Sequence, residues 1–193
     1  MSGARLRLAA LVVVALLQLG VPTQMIVARE RTLREGTAWR FRTAPVDPAD
    51  AFRGNYLALR FEAESAPVPP GLAVERGERV IVPLLRDAEG FAQLGPVRRE
   101  PPAGGDWLRL RVGWVVKEAP TPGTGTRAHV ELPFDRFYLD EGLAPRADAK
   151  FAALGAQRGP SAQLPAWAVV RVRAGRAVLE DVLIDGHSVR GSD

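Results

Sequence analysis

From Leu8 to Ala28 the chain reads LAALVVVALLQLGVPTQMIVA, without a single charged residue. A helix rises about 1.5 Å per residue, so this run matches a bilayer hydrocarbon core of about 30 Å. Basic Arg5 and Arg7 stand just before it. A secretory signal has an apolar stretch of roughly 7–15 residues closed by a small-residue cleavage site. Here the stretch is longer, and its exit, Met25-Ile26-Val27-Ala28-Arg29-Glu30, has no Ala-x-Ala pattern. The expectation is an uncleaved signal-anchor that crosses the membrane once and contacts lipid. Pro22 removes one intrahelical hydrogen bond. Helical character should continue from Ala28 to Glu35 and stop at Gly36 in a left-handed cap. Residues 1–35 are therefore read as the transmembrane anchor with its helical extension, and 36–193 as one soluble β-rich domain.

Counting Lys and Arg alone, the arginines at 29, 31, 34, 40 and 42 would hold the domain in the cytoplasm. Long domains, however, translocate largely regardless of charge, and the segment is mixed by Glu30 and Glu35. The domain is expected on the extracytoplasmic side of the cell membrane. The chain has no cysteine, which excludes disulfides, thiolate metal sites and thiol nucleophiles. Formal net charge is +4, and every basic residue but Lys117 and Lys150 is arginine. These arginines alternate with acids along the chain and belong to no nucleic-acid-binding motif, so they are read as solvated charge. No nucleic-acid partner is expected.

Past the anchor, the dominant signal is period-two alternation, the mark of half-buried strands. Trp39 and Phe41 alternate with Arg40 and Arg42; Leu57, Leu59, Phe61 and Ala63 alternate with Ala58, Arg60, Glu62 and Glu64. Val80 to Leu85 is a short apolar run leading through Asp87-Ala88-Glu89-Gly90 into Phe91–Leu94, a hairpin pattern. Trp107 to Val116 alternates again, and Trp167–Val172 and Ala177–Ile184 flank Arg173-Ala174-Gly175-Arg176 as a terminal hairpin. Prolines gather in the loops at 66–71, 101–105 and 119–125. Only Ala147–Ala156 suggests a helix. The fold class is mainly β: an antiparallel sandwich or partial barrel with at most one short helix, behind the membrane helix.

The densest stretch runs from Pro45 to Phe61, PVDPADAFRGNYLALRF. Its Gly54-Asn55-Tyr56-x-x-Leu59-x-Phe61, preceded by the PVDP and Arg53-Gly54 elements, resembles the motif of the GDYXXLXY family of prokaryotic membrane-anchored proteins. The later block Phe134–Gly142, rich in aromatics and ending in an acid and glycine, and the terminal hairpin closing Ile184-Asp185-Gly186 are similar too. The resemblance implies a single N-terminal span, a β-rich domain, and companionship with multi-span membrane proteins. It implies no catalytic residue. Two positions depart from the motif: its Asp is Asn55 here, and its last Tyr is Phe61. An amide cannot act as a general base or lend a metal a carboxylate's charge. Gly54-Asn55 is instead read as a turn, since both residues tolerate positive φ. Leu59 and Phe61 should then share one face of a strand and Tyr56 the other.

Asp47 and Asp50 around Pro48 suit Asx and proline turns. Gathered with Asp140 and Glu141 near Arg53, they would form a binding group; Arg53 would pair with one of these acids or grip a partner's carboxylate or phosphate. His129 and His187 have no zinc-ligand spacing, and no nucleophile elbow, Walker loop or dinucleotide fingerprint occurs. No cofactor and no metal are expected. The reading preferred is a non-enzymatic interaction or accessory domain, anchored by one span and docking on a membrane or envelope partner, such as a multi-span membrane protein. The alternative is an anchored hydrolase or metal-dependent enzyme using Asp47, Asp50 and Arg53 with Asp140 and Glu141.

Overall fold

A computed structural model describes residues 3–43, 56–116, 125–138 and 165–190, with 145 and 149. Helix α1 runs Gly3–Glu35 and carries Pro22 within it. Its large apolar side chains, from Leu8 to Val27, point in all directions and are 49–70% exposed. A helix apolar all round belongs in an apolar medium, and α1 is long and apolar enough to cross a membrane. Its last turn differs. Thr32 is buried, its hydroxyl donates to Ala28 O at 2.9 Å, and Gly36 N–H donates to Thr32 O at 3.0 Å. Gly36 ends the helix as expected, but it lies outside the left-handed region. Glycine is required there by space: a Cβ would sit 2.3 Å from Thr32 O and 3.1 Å from Val172 O.

One residue later the chain is already in a sheet. The strands are β1 Thr37–Arg42, β2 Tyr56–Ala58, β3 Ser65–Pro67, β4 Arg79–Arg86, β5 Ala92–Leu94 and β6 Trp107–Val116. They continue with β7 Arg127–Glu131, β8 Arg136–Tyr138, β9 Ala166–Arg173, β10 Arg176–Ile184 and β11 His187–Ser188. A four-stranded sheet has the order β1-β9-β10-β11, a five-stranded sheet the order β3-β7-β6-β4-β5, and β2 pairs with β8. All these pairings are antiparallel. The two larger sheets meet along two seams, a bridge between Arg40 and Phe91 and another between Leu108 and Gly175. The result is a partly closed β structure around one core.

That core follows from alternation. In β6, Leu108, Leu110 and Val112 are at most 2% exposed while Arg109 and Arg111 face out. Phe41, Val80, Val82, Val130, Val170 and Ile184 complete the interior. Each such side chain contributes about 1.5–3 kcal/mol by leaving water. The terminal hairpin turns on Ala174 and Gly175, with φ of 49° and 78°, the two positive values of a type I′ turn. Gly175 packs so closely on Trp107 that a Cβ would lie 2.1 Å from the indole Cζ3. Arg109 N–H donates to Gly175 O at 3.1 Å, so the hairpin tip is locked onto β6. A register shift between Val112 and Trp114, at Gly113, turns Trp114 outward. The helix expected over 147–156 lies, apart from Ala149, outside the described residues.

Candidate functional site

The motif strand and the aromatic-rich block are neighbours. β2 and β8 pair Tyr56 with Tyr138, Leu57 with Phe137 and Ala58 with Arg136, and Leu59 N–H donates to Asp135 O at 2.8 Å. The motif then leaves this ladder. Phe61 bridges Thr43, its N–H donates to Glu64 Oε1 at 3.0 Å, and Glu62 N–H donates to Arg42 O at 3.2 Å. Leu59 and Phe61 share the buried side, as alternation requires, and Arg60 and Glu62 face water. The Phe61 ring stands edge-on to Phe41 and Phe134, at 6.0 and 5.2 Å between centroids, and those two lie 5.1 Å apart. A tyrosine there would need a partner for its hydroxyl; phenylalanine needs none. The end of the motif therefore builds core. Gly54, Asn55 and the Tyr56 side chain lie outside the described residues. So do Asp47, Asp50, Arg53, Asp140 and Glu141, the candidate binding group.

The described ionisable groups fall into two kinds. The first pins elements together. In the β4–β5 turn, Asp87 Oδ1 accepts from Glu89 N–H at 2.9 Å and Phe91 N–H at 2.8 Å, and Oδ2 accepts from Arg42 at 3.3 Å. The Phe91 N–H above all, then Glu89 N–H and Arg42, hold the Asp87 carboxyl below its ordinary range. Arg42 also reaches Glu89 at 2.7 Å and lies 3.9 Å over the Phe91 ring. Its guanidinium is held further above its ordinary range chiefly by Glu89. On β9, Arg171 grips both Glu180 oxygens at 2.6 and 3.1 Å and donates to Gly36 O, tying the helix exit to the sheet. His129 stacks on exposed Trp114 at 3.6 Å and lies 3.8 Å from Glu64; His187 sits on β11. No group of three metal-ligating side chains occurs among the described residues.

The second kind was not visible as a group in the sequence. Where α1 meets the domain lies an open cleft of about 1360 Å³. One wall is the helix from Gln24 to Arg29 with Arg31 and Thr32; the other is the outer face of β4, β6 and β7 with the β9–β10 hairpin tip. Seven arginines and one carboxylate, Glu131, line it. Arg173 and Arg31 both pair with Glu35, at 2.9 and 3.6 Å. Among the described residues, Arg29, Arg79, Arg109, Arg111 and Arg176 form no ion pair within 4.0 Å. Arg79 and Arg111 are direct cross-strand partners, as are Arg173 and Arg176. The strand arginines of this face, Arg79, Arg109, Arg111 and Arg176, are exposed, as solvated charge should be, but they are gathered on one face and not dispersed. Arg109 and Arg111 at period two were legible as one face; that Arg79 and the hairpin tip join them depends on strand register.

The fold and this juncture define a class: an antiparallel β domain joined without a linker to an exposed apolar helix, with a basic cleft at the joint. The chain belongs to the GDYXXLXY protein family, which it matches over residues 18–182. The matched span begins inside α1 and ends in β10, so it covers the helix exit and nearly all of the domain. No curated protein and no solved structure matches the chain.

Proposed function

We propose that this protein is a single-span membrane-anchored accessory protein. Its β domain, held against the bilayer surface on the extracytoplasmic side, docks on a membrane or envelope partner. The observation that carries the reading is the joint. α1 is apolar on every side and exposed from Leu8 to Val27, yet only Gly36 separates the helix end from β1. Glu35 is paired to Arg173, and Gly36 O accepts from Arg171. With no linker and two arginine clamps, a spanning helix would hold the domain in one orientation beside the headgroups. Surfaces fixed at that height favour recognition of membrane-resident partners, and a multi-span protein offers loops at the same level.

Three measurements test this. Alkaline extraction of membranes should leave the full chain in the lipid fraction, and protease should reach the domain from the extracytoplasmic side. A photoreactive residue replacing exposed Trp114 should give one discrete adduct with an integral membrane protein, abolished by competition with the unlabelled chain. Release by alkali, or adducts with lipid and the chain itself alone, would refute the proposal.

A further inference from the structure

We infer that the arginine-lined cleft at the base of α1 binds the phosphate headgroup of an anionic phospholipid. This rests on the reading of α1 as a membrane span. Depth is the first argument. If Leu8–Ala28 fills the hydrocarbon core, at about 1.5 Å per residue, then the helical wall of the cleft runs from the last apolar turn of that core, Gln24–Ala28, out to Arg29, Arg31 and Thr32 at the headgroup layer. The cleft is therefore open to the one part of the bilayer that carries phosphate.

Charge is the second argument. Seven arginines face one lining carboxylate, and Glu35, outside the lining, is already shared by Arg31 and Arg173. Arg79 and Arg111 stand opposite each other across β4 and β6, and although Arg111 has Glu131 opposite it on β7, Arg79 has no acid opposite it. Like charges directly opposite are unfavourable in a sheet, and an anion placed between them removes the penalty. The guanidinium fork matches phosphate oxygens in a bidentate way.

The third argument separates a lipid from a free phosphate ion. The same cleft is bounded by Met25 and Ile26, which are 68% and 67% exposed. An inorganic ion has no use for that surface. A glycerophospholipid fits both walls, with its phosphate toward the arginines of the sheet and its glycerol and first methylenes along the last apolar turn of α1. The hairpin tip, fixed by Gly175 on Trp107, holds Arg173 and Arg176 in position at the rim.

The test is native mass spectrometry of the full chain in a non-ionic detergent, with phosphatidylglycerol and phosphatidylcholine of identical acyl chains in competition. The wild type should retain phosphatidylglycerol in preference. Arg79→Gln with Arg111→Gln should reduce that preference by about five-fold per arginine, the contribution of one basic residue near an anionic surface. The equal charge loss of Arg60→Gln with Arg98→Gln, outside the cleft, should leave it unchanged. If the first pair fails to fold by thermal unfolding, Arg29→Gln with Arg176→Gln at the rim should show the same loss. Equal retention of both lipids, or equal effects of cleft and control variants, would overturn the inference. Displacement of the lipid by excess inorganic phosphate would show a free-ion site and also overturn it. Alkaline release of the wild-type chain would overturn the anchor itself, and the lipid site with it; retention with no lipid preference would overturn the lipid site alone.

Discussion

Arg79→Gln should make the protein more stable, not less. Arg79 opens β4, and its cross-strand partner on β6 is Arg111. Directly opposed residues in an antiparallel pair have Cβ atoms about 4.5–5.5 Å apart. Guanidinium groups that splay to about 6 Å in water repel by about 0.7 kcal/mol, from 332/(80 × 6). This agrees with the roughly 0.2–1 kcal/mol measured for cross-strand pairs. No carboxylate lies within 4.0 Å of Arg79 among the described residues to offset it. Glutamine keeps much of the stem and removes the charge. For a chain of this size 1 kcal/mol moves Tm by about 2–4 °C, so the variant should melt about 1–3 °C higher in detergent at low salt. The gain should vanish at about 1 M salt, where the Debye length falls to about 3 Å. Adding phosphatidylglycerol should reverse the order by raising the wild-type Tm more. A loss of stability above about 1 kcal/mol at low salt would show that Arg79 is a structural residue, and the electrostatic reasoning would be wrong.

Phe61→Ala, at the end of the motif, should cost about 3–5 kcal/mol because it removes one ring from a triangle of three buried phenylalanines; a change under 1 kcal/mol in chemical denaturation would show that the motif does not build the core. Gly175→Ala meets both a positive φ and the Trp107 ring, and should cost about 2–5 kcal/mol from strain and overpacking together. Trp107→Ala in the same chain should recover part of that loss, and strict additivity in the double-mutant cycle would show that the clash is not its source. For Asp87 the sign follows from its direction. Its folded pKa is depressed, so its stabilisation is present above the unfolded value of about 3.9 and is lost as pH falls through the folded value. Asp87→Asn should therefore melt below wild type at neutral pH and converge with it in acid; a constant gap in Tm down to pH 2 would contradict the assignment.

Side-chain period was enough to read most of the fold. The alternation in Trp107–Val116 marks the bounds of β6, though the bulge at Gly113 reverses its faces beyond Val112, and Arg173-Ala174-Gly175-Arg176 marks the hairpin because an Ala-Gly turn between two apolar runs leaves little else. The helix stop at Gly36 was legible, but its cause was not: glycine is needed there for space against Thr32 O, and against the Val172 backbone distant in sequence, and not for a left-handed cap. Leu59 and Phe61 share one face as alternation requires, although the strand expected through Ala63 ends at Ala58. After that point the chain bends to pair with Thr43 and Glu64, contacts that no local pattern announces.

The cleft shows why site and fold differ in legibility. An arginine at every second position of a strand has one local meaning, an outward face, and that meaning is the same whether the face is bare or occupied. Only the register of β4 against β6 sets Arg79 opposite Arg111, and only the Gly175–Trp107 contact brings the hairpin arginines to the same rim. Folding by itself gives no reason for that arrangement, since each like-charged pair opposes the sheet that presents it. The sequence places an acid beside an arginine elsewhere, Glu180 beside Arg171 and Glu131 opposite Arg111, but none opposite Arg79 or Arg176. Arg111 has Glu131 opposite it on β7 and Arg173 is paired to Glu35, so what the cleft lacks is a partner for Arg79 and Arg176, and under the lipid proposal that compensating charge comes from outside the chain. The position of α1 indicates which side it comes from: the cleft opens along the last apolar turn of a helix that, if it spans, ends among phosphates.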